Sequence, residues 1–391
     1  MPTYAYRQAA GIRQALLDRR ELALIDVREE ADFATAHPLF AVNLPLSKLE
    51  LEVRRRIPRF TTPLTVYDNG EGLAEIAVER LRSWGYQDVA LLAEGLAGWR
   101  RSGGELFQDV NSASKAFGEL VESVRHTPSL SAQEVQALID SRQEVVIVDA
   151  RRFDEYQTMS IPGSLSAPGG QLVQETDHFA SVRGARIVLL DDDGIRAAIT
   201  GSWLAQMGWE TARLSALSTS QLSERGVPAA EVPPGPQAEE ISPAQLAQQL
   251  EEPGTVVLDF TTSANFVARH IPGAWWLTRS QLRQALEVIP PAQRYVVTCG
   301  SSLLARYAVP EVAALTGKPV QLLTGGTLAW IAAGLPLAHG DSGLAVERRD
   351  RYRRPYEGTD NSAQAMQAYL EWEYGLVDQL ARDGTHGFRV L

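Results

Sequence analysis

The chain has 391 residues, of which 45% are hydrophobic and 22% charged, which places it in the ordinary globular class with room for two to four domains. The formal net charge is −11, and an acidic chain of this kind excludes a generic nucleic-acid binder or a protein held on an anionic membrane surface. A single cysteine, Cys299, excludes an intramolecular disulfide framework and a cysteine-rich metal site.

From Met1 to Glu30 there is no long apolar segment, and nowhere does an apolar run approach the length of a membrane span. The expectation is a soluble cytoplasmic protein without membrane attachment. No cofactor is expected, and the sequence does not specify an oligomeric state.

Along the chain, one pattern occurs three times. Leu24-Ile-Asp-Val-Arg-Glu-Glu-Ala-Asp-Phe33, Ile147-Val-Asp-Ala-Arg-Arg-Phe-Asp-Glu-Tyr156 and Val257-Leu-Asp-Phe-Thr-Thr-Ser-Ala-Asn-Phe266 are apolar strand runs ending in Asp26, Asp149 and Asp259. Each Asp is followed seven residues later by an aromatic, then by a turn. The turns are His37-Pro38 to Leu44-Pro45, Ile161-Pro162-Gly163 and His270-Ile271-Pro272-Gly273.

A second strand run closes on Asp68, Asp191 and Cys299, and six residues on stand Ala74, Ala197 and Ala305, so the three loops align without a gap. Helix-length segments then end at Gly85, Gly208 and Gly317, before strands at Val89 to Leu92, Thr211 to Leu214 and Pro319 to Leu323. Strands alternating with helices imply parallel βαβ units. Ser131-Ala-Gln-Glu134 and Ser242-Pro-Ala-Gln245 fit the capping-box pattern at helix starts. Asn111 to Arg125 has helical composition and is expected between the first two modules, whereas the Pro-rich stretch Gly226 to Glu240 reads as a spacer. The expected modules are residues 1–105, 126–225 and 238–340, followed by a C-terminal arm, 341–391. Within the arm, Tyr369, Trp372 and Leu376 are spaced to share one helix face, which is expected to be buried.

These segments resemble the rhodanese homology domain, most fully in the third module. Its matching features are Arg269-His-Ile-Pro-Gly-Ala274, Val-Val-Thr-Cys299 and Gly325-Gly326 through Trp330. The first module echoes the ending with Glu94-Gly-Leu-Ala-Gly-Trp99, and the second keeps Ser160-Ile-Pro-Gly163 but lacks the Gly-Gly to Trp ending. The whole arrangement is similar to multi-module bacterial thiosulfate sulfurtransferases. The resemblance implies an α/β fold of three tandem modules, each a mainly parallel sheet flanked by helices.

It also implies a sulfurtransferase that takes sulfane sulfur from thiosulfate or a persulfide donor onto Cys299 and passes it to cyanide or a thiol. The residues expected around the sulfur are Gly300, Ser301, Ser302, Leu303, Leu304 and Arg306. At a strand end, converging N–H groups and a helix N-terminus favour a thiolate and hold the persulfide as an anion. A lone Cys after Val-Val-Thr is otherwise a small buried hydrophobe.

Active loops of the family often carry Arg at the first or fifth position after Cys; here Gly300 and Leu304 stand there. Thr261 stands where the other modules have Arg28 and Arg151; Arg269, Arg279 and Arg306 are the cations that could compensate, although each is expected as a solvated surface charge. Asp68 and Asp191 cannot form a persulfide, so their carboxylates are expected to plug the cradle.

Two alternatives belong to other classes. One is a non-catalytic binding or scaffold protein. The other is a phosphatase with a Cys-x5-Arg loop, which Arg306 misses because it lies seven residues after Cys299. The arginines of Arg348 to Tyr356 suggest an arm paired with an acidic body rather than a nucleic-acid patch.

Overall fold

In a computed structural model describing residues 3–215, 221–228, 232–357 and 361–390, the threefold repeat becomes three five-stranded sheets. The first contains β1 (Tyr6–Arg7), β2 (Ala23–Asp26), β3 (Val42–Asn43), β4 (Leu64–Tyr67) and β5 (Val89–Leu92). The second contains β6 (Ser129–Leu130), β7 (Val145–Asp149), β8 (Leu165–Ser166), β9 (Arg186–Leu190) and β10 (Glu210–Leu214). The third contains β11 (Glu239–Ile241), β12 (Thr255–Asp259), β13 (Trp275–Trp276), β14 (Arg294–Thr298) and β15 (Val320–Leu323).

Each sheet runs in the same spatial order, first–fifth–fourth–second–third, with every pairing parallel. A parallel pair needs a crossover, and the helices that supply it cover the sheet, so the central strands read as continuous apolar runs. All four residues of β4 are buried. In the first module two apolar clusters lie on the two faces. Leu49, Val53, Ala77, Val78 and Leu81 pack with Ile25 and Val66. Ala9, Ile12, Leu96 and Trp99 pack with Leu24 and Tyr67.

The register places the three Asp residues at the C-terminal end of the second strand of each sheet, opposite the residue that precedes the candidate loop. Asp26 faces Tyr67, Asp149 faces Leu190 and Asp259 faces Thr298. Both capping boxes form, with the Ser131 and Ser242 hydroxyls accepting from the N–H groups of Glu134 and Gln245. Gly85, Gly208 and Gly317 follow the long helices with φ of 102°, 78° and 64°, a left-handed turn that glycine adopts without a Cβ penalty.

The chain divides into two compact units, residues 1–228 with 384–391, and residues 229–383. Within the first, the helix Ser112–Arg125 packs on the helix Ile195–Gln206 of the second sheet, while its first residue, Ser112, meets the ring of His37 in the first module. Residues 384–391 also belong here: the Arg389 N–H donates to the Gln206 carbonyl and Arg183 donates to the His386 carbonyl. In the second unit, Leu344 pairs with Trp276 at the sheet edge, and Ala345 and Val346 enter the core.

The expected buried stripe on the arm is corrected by the structure. The helices Ala363–Tyr374 and Leu376–Asp383 contain no buried residue, and Trp372 is 54% exposed. Tyr369 packs on Tyr356 and Trp372 instead of on a sheet. The helical spacing brings Tyr369 and Trp372 to one another. The Pro-rich spacer is described only in part, since residues 229–231 lie outside the described residues.

Candidate active site

The loop after the fourth strand of each sheet lies at the carboxyl end, where α/β sheets bind ligands. In the first module Asp68 fills it. The N–H of Gly70 donates to one carboxylate oxygen at 2.9 Å, and those of Leu73 and Ala74 donate to the other at 2.6 and 3.0 Å. In the second module Asp191 accepts from Gly194 at 2.7 Å and from Ala197 at 2.9 Å. Burial raises the Asp191 carboxyl above its ordinary value, and the two N–H groups partly offset that shift. Both carboxylates therefore take up the first-turn N–H groups of the following helix, which would otherwise lack acceptors.

In the third module the same place is held by Cys299, 6% exposed, immediately after β14. The helix Leu303–Thr316 begins behind it with Ser302 in the left-handed region at φ 67°. By position, the N–H groups of Leu304 and Ala305 correspond to those that Leu73 and Ala74 give to Asp68. Among the described residues they have no hydrogen-bond acceptor. The cradle is present, and a compact sulfur stands where the carboxylate would be.

A second layer fixes the loop from below. The N–H groups of Thr327 and Leu328 donate to the carbonyls of Cys299 and Gly300, both at 2.9 Å. Gly326 makes this approach possible: a Cβ there would lie 2.3 Å from the Cys299 carbonyl oxygen and 2.6 Å from the Ser302 nitrogen, at φ 67°. In the first module Gly95 is the counterpart, with a Cβ placed 3.0 Å from the Asp68 carbonyl oxygen. The corresponding segment of the second module falls on residues outside the described ones.

Of the expected site residues, Gly300, Ser301, Leu303 and Leu304 lie on the loop and first helical turn, and both leucines are substantially exposed. Ser302 is buried, and its hydroxyl turns away to donate to the Leu323 carbonyl. Arg306 is ion-paired with Glu240 at 2.5 Å and lies against Gly235; Arg279 is paired with Glu311. Arg269 is exposed. Arg351 and Arg354 of the arm pair with Glu357, and Arg349 pairs with Glu347.

The strand-end aspartates show what Thr261 changes. Arg28 and Arg151 each clamp the preceding carboxylate through Nε and Nη2, with Nη2 contacts of 2.6 and 2.7 Å, and each also donates to a turn carbonyl. These are buried bidentate pairs. Among the described residues Asp259, fully buried, keeps only the Thr261 N–H at 2.9 Å, and its Oδ2 has no hydrogen-bond partner. Burial pushes the Asp259 carboxyl up to about 7, with the Thr261 N–H and the nearby Thr327 hydroxyl partly offsetting the shift. The sequence signal for this arrangement is Thr261 in place of the arginine that follows Asp26 and Asp149.

A family model, Rhodanese-like domain, matches residues 11–102, 131–221 and 242–333. The chain belongs to the rhodanese-like domain family. Among solved structures, thiosulfate sulfurtransferase from Pseudomonas aeruginosa is 50% identical over 99% of this chain and 100% of its own, with a TM-score of 0.57. A rhodanese-related protein from Thermoplasma volcanium is 23% identical over 26% of this chain and 97% of its own, at a TM-score of 0.24. A protein of unknown function and possible tyrosine phosphatase from Rhodopseudomonas palustris is 23% identical over 26% of this chain and 85% of its own, at 0.23. No curated protein matches the chain. The rhodanese-like modules thus number three, and Cys299 belongs to the last. Among the described residues no helix is long and apolar enough to cross a membrane.

Proposed function

We propose that the protein is a sulfurtransferase in which Cys299 carries the sulfur and the first two modules, residues 1–105 and 126–225, are catalytically silent. The observation that carries this reading is the place of Cys299 in the third module, 238–340. It stands at the strand end where its two counterparts hold an anion against the helix N–H groups. A thiolate or a persulfide is an anion of the kind such groups stabilise. The 50% identity to a thiosulfate sulfurtransferase across both chains supports the same reading.

In the proposed reaction the Cys299 thiolate attacks the sulfane sulfur of thiosulfate. A new S–S bond forms, the old one breaks, and sulfite leaves with its electron pair. An acceptor such as cyanide or a thiolate then attacks the terminal sulfur, and Cys299 leaves as thiolate. The chemistry is covalent catalysis in two steps, with no metal or cofactor required. Free loop N–H groups serve both steps, whereas Gly300 and Leu304 bring no charge to a dianionic donor. A persulfide donor suits this site better than thiosulfate.

A binding or scaffold role fits the first two modules, because their carboxylates already occupy the cradle. The test is turnover with thiosulfate and cyanide, read as thiocyanate formed. Activity should disappear in Cys299→Ser and persist in Asp68→Ala and Asp191→Ala. Wild-type protein inert toward both thiosulfate and a persulfide donor would move the whole chain to the scaffold class.

A further inference from the structure

We propose that Leu328 is a specificity-determining residue of the Cys299 site and that, with Leu303 and Leu304 beside the same loop, it selects a sulfur donor carried on a hydrocarbon group over an inorganic one. The inference rests on the reading of Cys299 as the sulfur carrier and deepens it by naming the class of donor. It comes from comparing what surrounds the loop in the first and third modules.

The spacing from Asp68 to Trp99 equals that from Cys299 to Trp330, and β5 and β15 fall at matching places between them. The residues of the two loops, and of the helices that follow β5 and β15, therefore correspond one to one. In the first module a cavity of about 360 Å³ opens over the loop, and its lining includes Asp68, Asn69, Glu75, Glu94 and Ala97. Their counterparts are Cys299, Gly300, Arg306, Gly325 and Leu328. Two polar side chains have thus become glycine, and the alanine has become leucine. Glu75 has become a cation that is already paired: Arg306 meets one oxygen of Glu240 at 2.5 Å, and the other oxygen accepts the Thr324 hydroxyl at 3.1 Å.

Leu328 is tied to the loop, since its N–H donates to the Gly300 carbonyl at 2.9 Å, yet it is 54% exposed. Leu303 and Leu304, which open the helix behind the cysteine, are 42% and 45% exposed. One exposed leucine is ordinary on a protein surface, but three on the segments that frame one reactive thiol form an apolar rim.

Such a rim divides a donor into two parts. The reacting sulfur goes to the N–H groups of the cradle, and the remainder of the donor lies against the leucines. The sulfite part of thiosulfate would lose water there without meeting a free cation, whereas a hydrocarbon group releases water from both surfaces. The chemistry balances for an organic thiosulfonate. The Cys299 thiolate attacks the outer sulfur, the new S–S bond forms, the S–S bond of the donor breaks, and the sulfinate leaves with its electron pair. An organic persulfide reacts in the same way and leaves as a thiolate.

The test compares benzenethiosulfonate with methanethiosulfonate, which carry the same charge and the same reacting group and differ in their hydrocarbon. With cyanide as the acceptor, kcat/KM for the donor, read as thiocyanate formed by the full chain, reports the first step. The ratio of the two values is measured in wild type, in Leu328→Ala, which restores the residue of the first module, and in Leu328→Gln, which keeps the size and removes the apolar surface. Comparing ratios cancels the intrinsic reactivity of the donors. Wild type should favour the benzene donor, and each variant should lower the ratio about fivefold, as expected for apolar contact at a half-open site. Leu328→Gln decides the matter if the alanine variant does not fold. A ratio within about twofold of wild type in a folded variant, including an equal fall with both donors, overturns the proposal and leaves Cys299 as the sulfur carrier. Wild type that takes sulfur from neither thiosulfonate nor from thiosulfate overturns the sulfur-carrier reading, and this inference with it.

Discussion

The unclamped Asp259 gives the third module a stability term that runs opposite to the usual one for a carboxylate. Its ordinary pKa of 3.8 rises to about 7 in the folded chain. The folded state therefore holds this proton more tightly than the unfolded state does. The stabilising contribution is full below 3.8, falls as pH rises, and is gone above about 7. At about 1.36 kcal/mol per pH unit, the rise from 3.8 to about 7 makes this loss roughly 4 kcal/mol.

Asp259→Asn removes the ionisation and keeps an oxygen for the Thr261 N–H, but it adds amide donors that cost about 1–3 kcal/mol if they find no acceptor. Above neutrality the variant should be more stable than wild type by about 1–3 kcal/mol, and below pH 4 less stable. Because a multi-module chain need not unfold in one step, the assay should be local. Hydrogen exchange of peptides covering β12 and β14, corrected for intrinsic rates, reads the opening free energy where the carboxyl lies. Wild type should lose protection between pH 4 and pH 7, and the Asn variant should not. Equal pH dependence in the two proteins would refute the assignment of the charge to Asp259.

Other changes probe the rest of the loop. Asp68→Ala and Asp191→Ala each strip the acceptor from buried N–H groups and should cost about 1–3 kcal/mol in stability. Sulfur uptake at Cys299 should change less than tenfold, as measured by denaturation and by kcat/KM. Gly326→Ala forces a Cβ to within 2.3 Å of the Cys299 carbonyl oxygen, so it should displace the loop and lower sulfur uptake more than about tenfold. Leu304→Arg places a cation on the exposed first turn and should raise the rate with thiosulfate about tenfold, and less with an uncharged sulfane donor. Equal gains with both donors would show that charge is not what the loop lacks.

The features legible in the sequence are those carried by contiguous, strongly patterned segments. Strand ends at Asp26, Asp149 and Asp259, the gapless 68–74, 191–197 and 299–305 loops, and two capping boxes all depend on local spacing. The edge strands β1, β6 and β3 were not legible, because two residues show no periodicity and their pairing is set by the sheet. The stripe Tyr369, Trp372 and Leu376 misled for the converse reason: helical spacing shows that residues share a face, not that anything covers it. Sequence spacing placed Arg306 near Cys299 but could not show that Glu240, from β11 and 66 residues away, takes its charge. Nor could it show that losing one arginine at position 261 leaves a carboxyl unpaired inside the core, since that depends on Asp259 pointing inward beside Thr298.

The most direct test of the central claim is the intact mass of the protein after incubation with thiosulfate or a persulfide donor, followed by removal of the donor. A Cys299 sulfur carrier predicts one added sulfur, about 32 Da, in wild type and in Asp68→Ala, and none in Cys299→Ser. An adduct that survives in Cys299→Ser, or the lack of one in wild type with every donor, would contradict it.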